Sequence, residues 1–294
     1  MGFQTAITSR SATARAACAR FRGRPWRRID LSQLADVLRV PTMLAGEEQQ
    51  FYLWLTRDWM EGDGAVVDLG ACVGGSTARL AEGHRIAGRG GRIYAYDRFR
   101  ADDRLKARLL YPGGVAPFEG QDAFRVARRL LAPWRDRTIL MRGEIQDVGW
   151  RGGPIAVLAI DAFKQVALID RMVADFFPAL VPGRSIVVQQ DFLHWSQPWL
   201  CALMDRFGDA FQRLCHVPND TVAYLLRRPM TASRIEAARI GGIGDDELFA
   251  AIARTRRVMT GWNLSHRFDA MEAGLRANPG ARVAWKMRRP SGPP

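Results

Sequence analysis

Residues 64–77 read G-A-V-V-D-L-G-A-C-V-G-G-S-T, and the fold turns on how this stretch is parsed. It opens on a short apolar run, Ala65, Val66 and Val67, whose β-branched pair suits a buried strand. A glycine-rich turn follows, and apolar residues then return at helical spacing through Ala78, Leu80 and Ala81. The parse is strand, tight loop, helix. In that geometry the first backbone N–H groups of the helix point at whatever occupies the loop, a ready site for a carboxylate or phosphate. Gly70, Gly74 and Gly75 allow the turn and let a ligand approach the backbone.

Spacing narrows the choice of ligand. A dinucleotide fold calls for G-x-G-x-x-G and a phosphate-binding loop for Lys followed by Ser or Thr, and neither pattern is present. Here Asp68 precedes Gly70 by two residues, and Gly74-Gly75 follow after three more. A second strand is expected over residues 92–96 and ends at Asp97, whose carboxylate can accept both ribose hydroxyls of an adenosyl group. The alternative is that the glycines merely turn the chain and Asp97 caps a loop. The arrangement resembles motif I and the strand-2 acid of class I S-adenosylmethionine-dependent methyltransferases. That resemblance implies S-adenosylmethionine as cofactor, held by Asp68, Gly70, Gly74, Gly75, Ser76 and Asp97.

Further along, strands are expected at 138–141, 154–160 and 184–189, with helices at 165–180 and 199–207 between and after them. Two closing strands, 211–217 and 221–226, are joined by the turn Pro218-Asn219-Asp220. Strands alternating with helices at this spacing predict an α/β fold with a doubly wound, mostly parallel seven-stranded sheet, Rossmann-like in the methyltransferase manner. Its ligands belong at the carboxyl ends of the strands. Helical patterns at 233–240, 245–259 and 265–276 form a C-terminal appendage, not a second core. The expected division is a basic flexible tail at 1–29, the cofactor-binding domain at 30–230, the helical appendage at 231–287 and a disordered end at 288–294. A helix over 47–60 precedes the first strand, with Glu47 and Glu48 either complementing its dipole or reaching the cofactor's ammonium group.

Composition sets bounds on function. The chain has 294 residues, 48% of them apolar, and a net charge of +13. Residues 1–29 carry seven Arg and no acid, and the stretch from 227 onward is also basic, whereas residues 30–226 hold 23 basic against 24 acidic side chains. A charge concentrated in the ends, nearly all of it Arg, reads as compositional bias and not as a nucleic-acid surface. No apolar run reaches the roughly 18 residues needed to span a bilayer, so no membrane partner is expected. Four scattered cysteines without a C-x-x-C pair argue against a zinc site or disulfide framework and fit a reducing, cytoplasmic compartment.

From residue 43 to 191 the chain resembles the small-molecule O-methyltransferases of the macrocin and novobiocin sugar-modifying type. In that family a strand-4 motif L-D-G-D supplies a catalytic Asp, and a strand-5 motif D-D-Y completes a magnesium site. Here the first becomes Ile160-Asp161-Ala162-Phe163 and the second Gln189-Gln190-Asp191-Phe192, each keeping one acid of two. The resemblance therefore carries over to Asp161 and Asp191 only. Two carboxylates and an amide make a poor magnesium site, since that hard cation wants more charge, so metal independence is expected. Asp161 and His194 are the two candidate bases for deprotonating an acceptor hydroxyl. The resemblance also places Glu144 or Asp147, after strand 3, near the adenine's exocyclic amine, an ordinary turn being the alternative. The implied function is methyl transfer from S-adenosylmethionine to a hydroxyl of a small molecule, a sugar or secondary metabolite. A cofactor-binding but non-catalytic or partner-dependent protein and an RNA methyltransferase are the competing readings, and a homo-oligomer stays open.

Overall fold

The computed structural model describes residues 16–290. Its sheet has seven strands in the order β3-β2-β1-β4-β5-β7-β6: β1 Ala65–Leu69, β2 Ile93–Asp97, β3 Thr138–Arg142, β4 Ile155–Ile160, β5 Ile186–Gln189, β6 Phe211–Val217 and β7 Thr221–Leu226. The strands β1 to β5 pair in parallel, and β7 runs antiparallel to both of its neighbours. The chain moves outward from β1 through β2 to β3, then returns to lay β4 against the other side of β1. The crevice left at that reversal is where open α/β sheets bind ligands.

Each strand sends alternate side chains to opposite faces. On one face Val67, Leu158, Ile160 and Val187 pack under α4 (Val166–Phe176) and α5 (Trp199–Phe207). The C-terminal helices α6 (Ala232–Ala237), α7 (Asp245–Val258) and α8 (Ser265–Ala277) join the same core through Ile235, Leu248, Ile252, Phe268 and Met271. They thus thicken one layer of the domain and form no second core. On the other face Val66, Ile93, Val157 and Ile186 meet α1 (Gly46–Trp54) and α2 (Gly75–Ile86). The short helix α3 (Phe124–Leu130) lies between β2 and β3 in the chain.

The N-terminal stretch departs from expectation. Arg-rich composition predicts a flexible tail over residues 16–29, yet Phe21, Trp26 and Ile29 are buried in the core beneath α1. The Phe21 ring stands 5.0 Å from Trp54 and 4.9 Å from Trp59, and Trp26 stands 4.9 Å from Phe51. Trp26 Nε1 donates to Glu47 Oε1 at 3.0 Å, and Arg24 and Arg27 pair with the same carboxylate. Three aromatic and aliphatic anchors at irregular spacing dock an otherwise polar segment. The remainder of the expected tail, 1–15, and residues 291–294 of the expected disordered end lie outside the described residues.

Replacing Trp26 with Ala removes a fully buried indole, so we expect a loss of about 3–5 kcal/mol in urea unfolding. A flexible tail would leave the midpoint where it is.

Candidate active site

The loop between β1 and α2 is built by left-handed backbone at Gly70 (φ 96°), Cys72 (φ 53°) and Gly74 (φ 100°). At Gly70 a Cβ would lie 3.0 Å from the backbone carbon and oxygen of Asp161, so only glycine lets β1 and β4 end this close together. At Gly75 a Cβ would lie 2.6 Å from the Pro41 carbonyl oxygen, which brings the 41–44 segment down over the loop. The hydroxyls of Ser76 (2.7 Å) and Thr77 (2.6 Å) both donate to Asp68 Oδ2, tying the first turn of α2 to the strand before it. Burial pushes the Asp68 carboxyl up to about 6 against the pull of those hydroxyls.

Asp97, at the end of β2, accepts the Cys72 backbone N–H on Oδ2 at 2.9 Å and the Phe99 backbone N–H on Oδ1 at 2.6 Å. It pins the glycine loop to its own, and each oxygen keeps a second lone pair for another donor. Burial raises its pKa and the two N–H groups oppose the rise. Burial likewise drives the Cys72 thiol up to about 12, leaving it a neutral filler. Beyond β3, Glu144 is exposed and pairs with Arg98 at 3.8 Å, while Asp147 is exposed at the surface.

At the ends of β4 and β5 the structure assembles a cluster that sequence reading had only in part. Asp161 and Asp191 do converge, and the ammonium of Lys164 lies between them. Lys164 Nζ donates to Asp161 Oδ1 at 2.5 Å and also bonds Asp191 Oδ2. The Gln197 amide adds a bond to Asp191 Oδ2 at 2.6 Å. Burial pushes the Asp161 carboxyl up to about 7, with Lys164 pulling it down and Asp191 and Asp68 adding to the rise. At Asp191 burial also works upward, but Lys164 and Gln197 outweigh it and hold that carboxyl below its usual range. Burial alone would lower the Lys164 ammonium; the two carboxylates reverse the sign and raise it. One signal in the sequence pointed to Lys164: the chain has three lysines against 40 arginines, and this one follows the strand-4 acid by three residues.

Asp68, Gly70, Ser76, Asp161, Lys164 and Asp191 face one cavity of about 210 Å³, covered by Pro41, Met43 and Leu109. Beneath it runs a buried chain of hydrogen bonds. Tyr52 OH donates to Gln190 Oε1 (2.8 Å), Gln190 Nε2 to Glu48 Oε1 (2.8 Å), and Thr221 Oγ1 to the same Glu48 oxygen (2.6 Å). Glu48 also accepts the Ala45 backbone N–H at 2.8 Å, so its carboxylate serves the N-terminus of α1 and does not line the cavity. His194 stands outside the cavity, its Nδ1 paired with Ser196 Oγ at 2.8 Å. A larger hollow of about 740 Å³ opens at the amino ends of β1, β2 and β4, beside Gly64, Gly91 and Pro154. The smaller cavity is the one that holds convergent ionisable groups.

The strand order with its reversed β7, and the glycine loop at the switch point, decide the fold. The chain has the class I methyltransferase fold. No family model matches it, and no curated protein matches it. Among solved structures, the O-methyltransferase NovP is similar at 16% identity over 64% of this chain and 82% of its own (TM-score 0.47). The calicheamicin methyltransferase CalS11 is similar at 17% identity over 74% and 91% (TM-score 0.47). An O-methyltransferase from Bacillus cereus in complex with SAH is similar at 15% identity over 68% and 93% (TM-score 0.46). Within this methyltransferase fold, the described residues include no group of three or more His, Cys, Asp or Glu side chains able to hold a metal ion, and no helix long and apolar enough to cross a membrane.

Because Gly75 has no room for a side chain against Pro41 and Thr42, Gly75→Ala should cost about 1–3 kcal/mol by forcing the 41–44 segment off α2. Thermal melting reads this directly, and an unshifted midpoint would show that the two segments do not touch.

Proposed function

We propose that this chain transfers a methyl group from S-adenosylmethionine to a hydroxyl of a small molecule, a sugar or other secondary metabolite. The observation that carries the reading is the Asp161–Lys164–Asp191 cluster, which shares a cavity with Asp68 and the glycine loop at the sheet's switch point. Gly70, Gly74 and Gly75 suit the amino-acid portion of the cofactor because they carry no Cβ where the backbone turns, and Ser76, whose hydroxyl is tied to Asp68, stands beside them at the start of α2. Asp97 retains lone pairs for the ribose hydroxyls, and Glu144 and Asp147, which follow the neighbouring strand β3, are assigned to the adenine. When bound, the cofactor supplies an electrophilic methyl for in-line displacement.

The chain's own residues then have two tasks, to hold the acceptor oxygen and to take its proton. Asp161, with its carboxyl raised to about 7, is the base: it is ionised often enough to accept a proton and basic enough to keep it. Lys164 stays an ammonium and supplies the positive charge that favours a developing alkoxide. Asp191, held ionised, fixes Lys164 in place. His194 lies next to this centre and is bonded to Ser196, which favours Asp161 over it as base. With an ammonium bridging the two acids, no divalent cation is required between them.

The sign of the pH dependence follows from Asp161. Its carboxyl must be ionised to accept a proton, so kcat/KM should rise with pH and level off above about 7. Activity should survive a chelator, and Asp161→Asn should lower turnover more than Asp191→Asn. A rate that is flat across pH 5–8, or one that magnesium alone restores after chelation, would overturn this assignment.

A further inference from the structure

Lys164 carries four rotatable bonds and a side-chain entropy of about 2 kcal/mol, so seating its ammonium between two acids needs a fixed backbone. On one side the loop that bears it is held by Trp199, whose Nε1 donates to the Phe163 carbonyl at 2.8 Å. On the other side the chain returns from the far C-terminus. Ala284 N donates to the Lys164 carbonyl at 2.8 Å, Val166 N donates to the Arg282 carbonyl at 3.0 Å, and Gln165 pairs with Val283 as an antiparallel bridge. This returning strand is itself clamped. Asp245, the first residue of α7, accepts Gly280 N at 2.9 Å and Arg282 Nη2 at 2.7 Å, and Arg282 Nε reaches the Ile243 carbonyl at 2.9 Å. Residues 281–287 therefore run as a strap from the C-terminal helices to the reaction centre.

We propose that this strap is a positioning device for Lys164: its backbone bonds on either side of Gln165 hold the lysine so that its ammonium stays between Asp161 and Asp191. The inference rests on the reading of that cluster as the reaction centre, and it gives the C-terminal helices a task, which is to anchor the strap through Asp245 and Arg282. Asp245 and Arg282 are thus positioning residues, acting through Lys164 and touching nothing that reacts.

The strap offers a substitution that removes one donor and little else. Ala284 opens a helical turn, Ala284–Lys286, where proline fits, and Val283 before it is extended (φ −136°, ψ 114°), as a residue preceding proline must be. Ala284→Pro deletes the N–H given to Lys164, and Ala284→Ser keeps it. The readout is acetylation by acetic anhydride followed by mass spectrometry, which is clean because the chain has lysines only at 106, 164 and 286. Exposed Lys286 marks the rate of a free lysine in the wild type, and Lys106, which lies off the strap, is the internal reference for the variants. With thermal melts confirming that both variants stay folded, Lys164 should react about fivefold to tenfold faster relative to Lys106 in Ala284→Pro, the weight of one lost hydrogen bond, and at the wild-type rate in Ala284→Ser. Equal reactivity in Ala284→Pro and wild type would overturn the strap's role while leaving the centre intact. Lys164 reacting as fast as Lys286 in the wild type would overturn the reading of the centre itself. Should Ala284→Pro not fold, Asp245→Asn, which loosens the strap at its anchor, is held to the same outcomes.

Discussion

Two carboxylates share one ammonium at the carboxyl edge of this sheet, and the rest of the site is arranged around that charge count. With all three groups ionised the cluster carries a net negative charge in a partly enclosed cavity, where separation from water makes each charge costly. The cost is relieved unequally. Asp191 has Gln197 as well as Lys164 and stays ionised, while Asp161 has Lys164 alone, faces Asp68 and Asp191, and rises to about 7. Such a pair titrates as a unit, so the property that matters is that one proton is held loosely near neutrality. That is the requirement for a group that takes a proton from a hydroxyl and passes it on.

The cluster forms where it does because β1 and β4 are neighbours whose connections leave in opposite directions. Gly70 abuts Asp161, and the loop that follows brings Cys72 onto Asp97 and Ser76 onto Asp68. The same few residues thus close the loop and set how near it stands to Asp161 at the end of β4. The Tyr52–Gln190–Glu48–Thr221 chain stiffens the floor, fixing the end of β5 against α1 and β7. The Ala45 backbone N–H completes the Glu48 end of this network, and such linked buried hydrogen bonds hold geometry.

Much of this was legible in the chain. The strands β6 and β7 begin and end on either side of the Pro218-Asn219-Asp220 turn as expected, and β4 stands out as a continuous apolar run because both of its faces are covered. What escaped was of two kinds. Phe21 and Trp26 dock through isolated anchors with no helical or strand period, so the surrounding Arg-rich composition outweighed them in a sequence reading. Lys164 carries little signal in the sequence because its partners, Asp161 and Asp191, are three and 27 residues away, and only the sheet brings the second within reach. Asp97 shows the limit of pattern in another way. Both of its weighed roles, cap and ligand acceptor, use the same carboxylate, and the structure displays the cap while leaving lone pairs for the other.

The central claim is that the glycine loop and Asp97 form the cofactor half of a site whose other half is the Lys164 cluster. Calorimetric titration with S-adenosylhomocysteine tests it most directly. The account predicts one site per chain, and in Asp97→Ala a loss on the order of 1.5–3 kcal/mol, the weight of hydrogen bonds to a charged acceptor. Absence of binding to the wild-type chain, or equal affinity in Asp97→Ala, would contradict it.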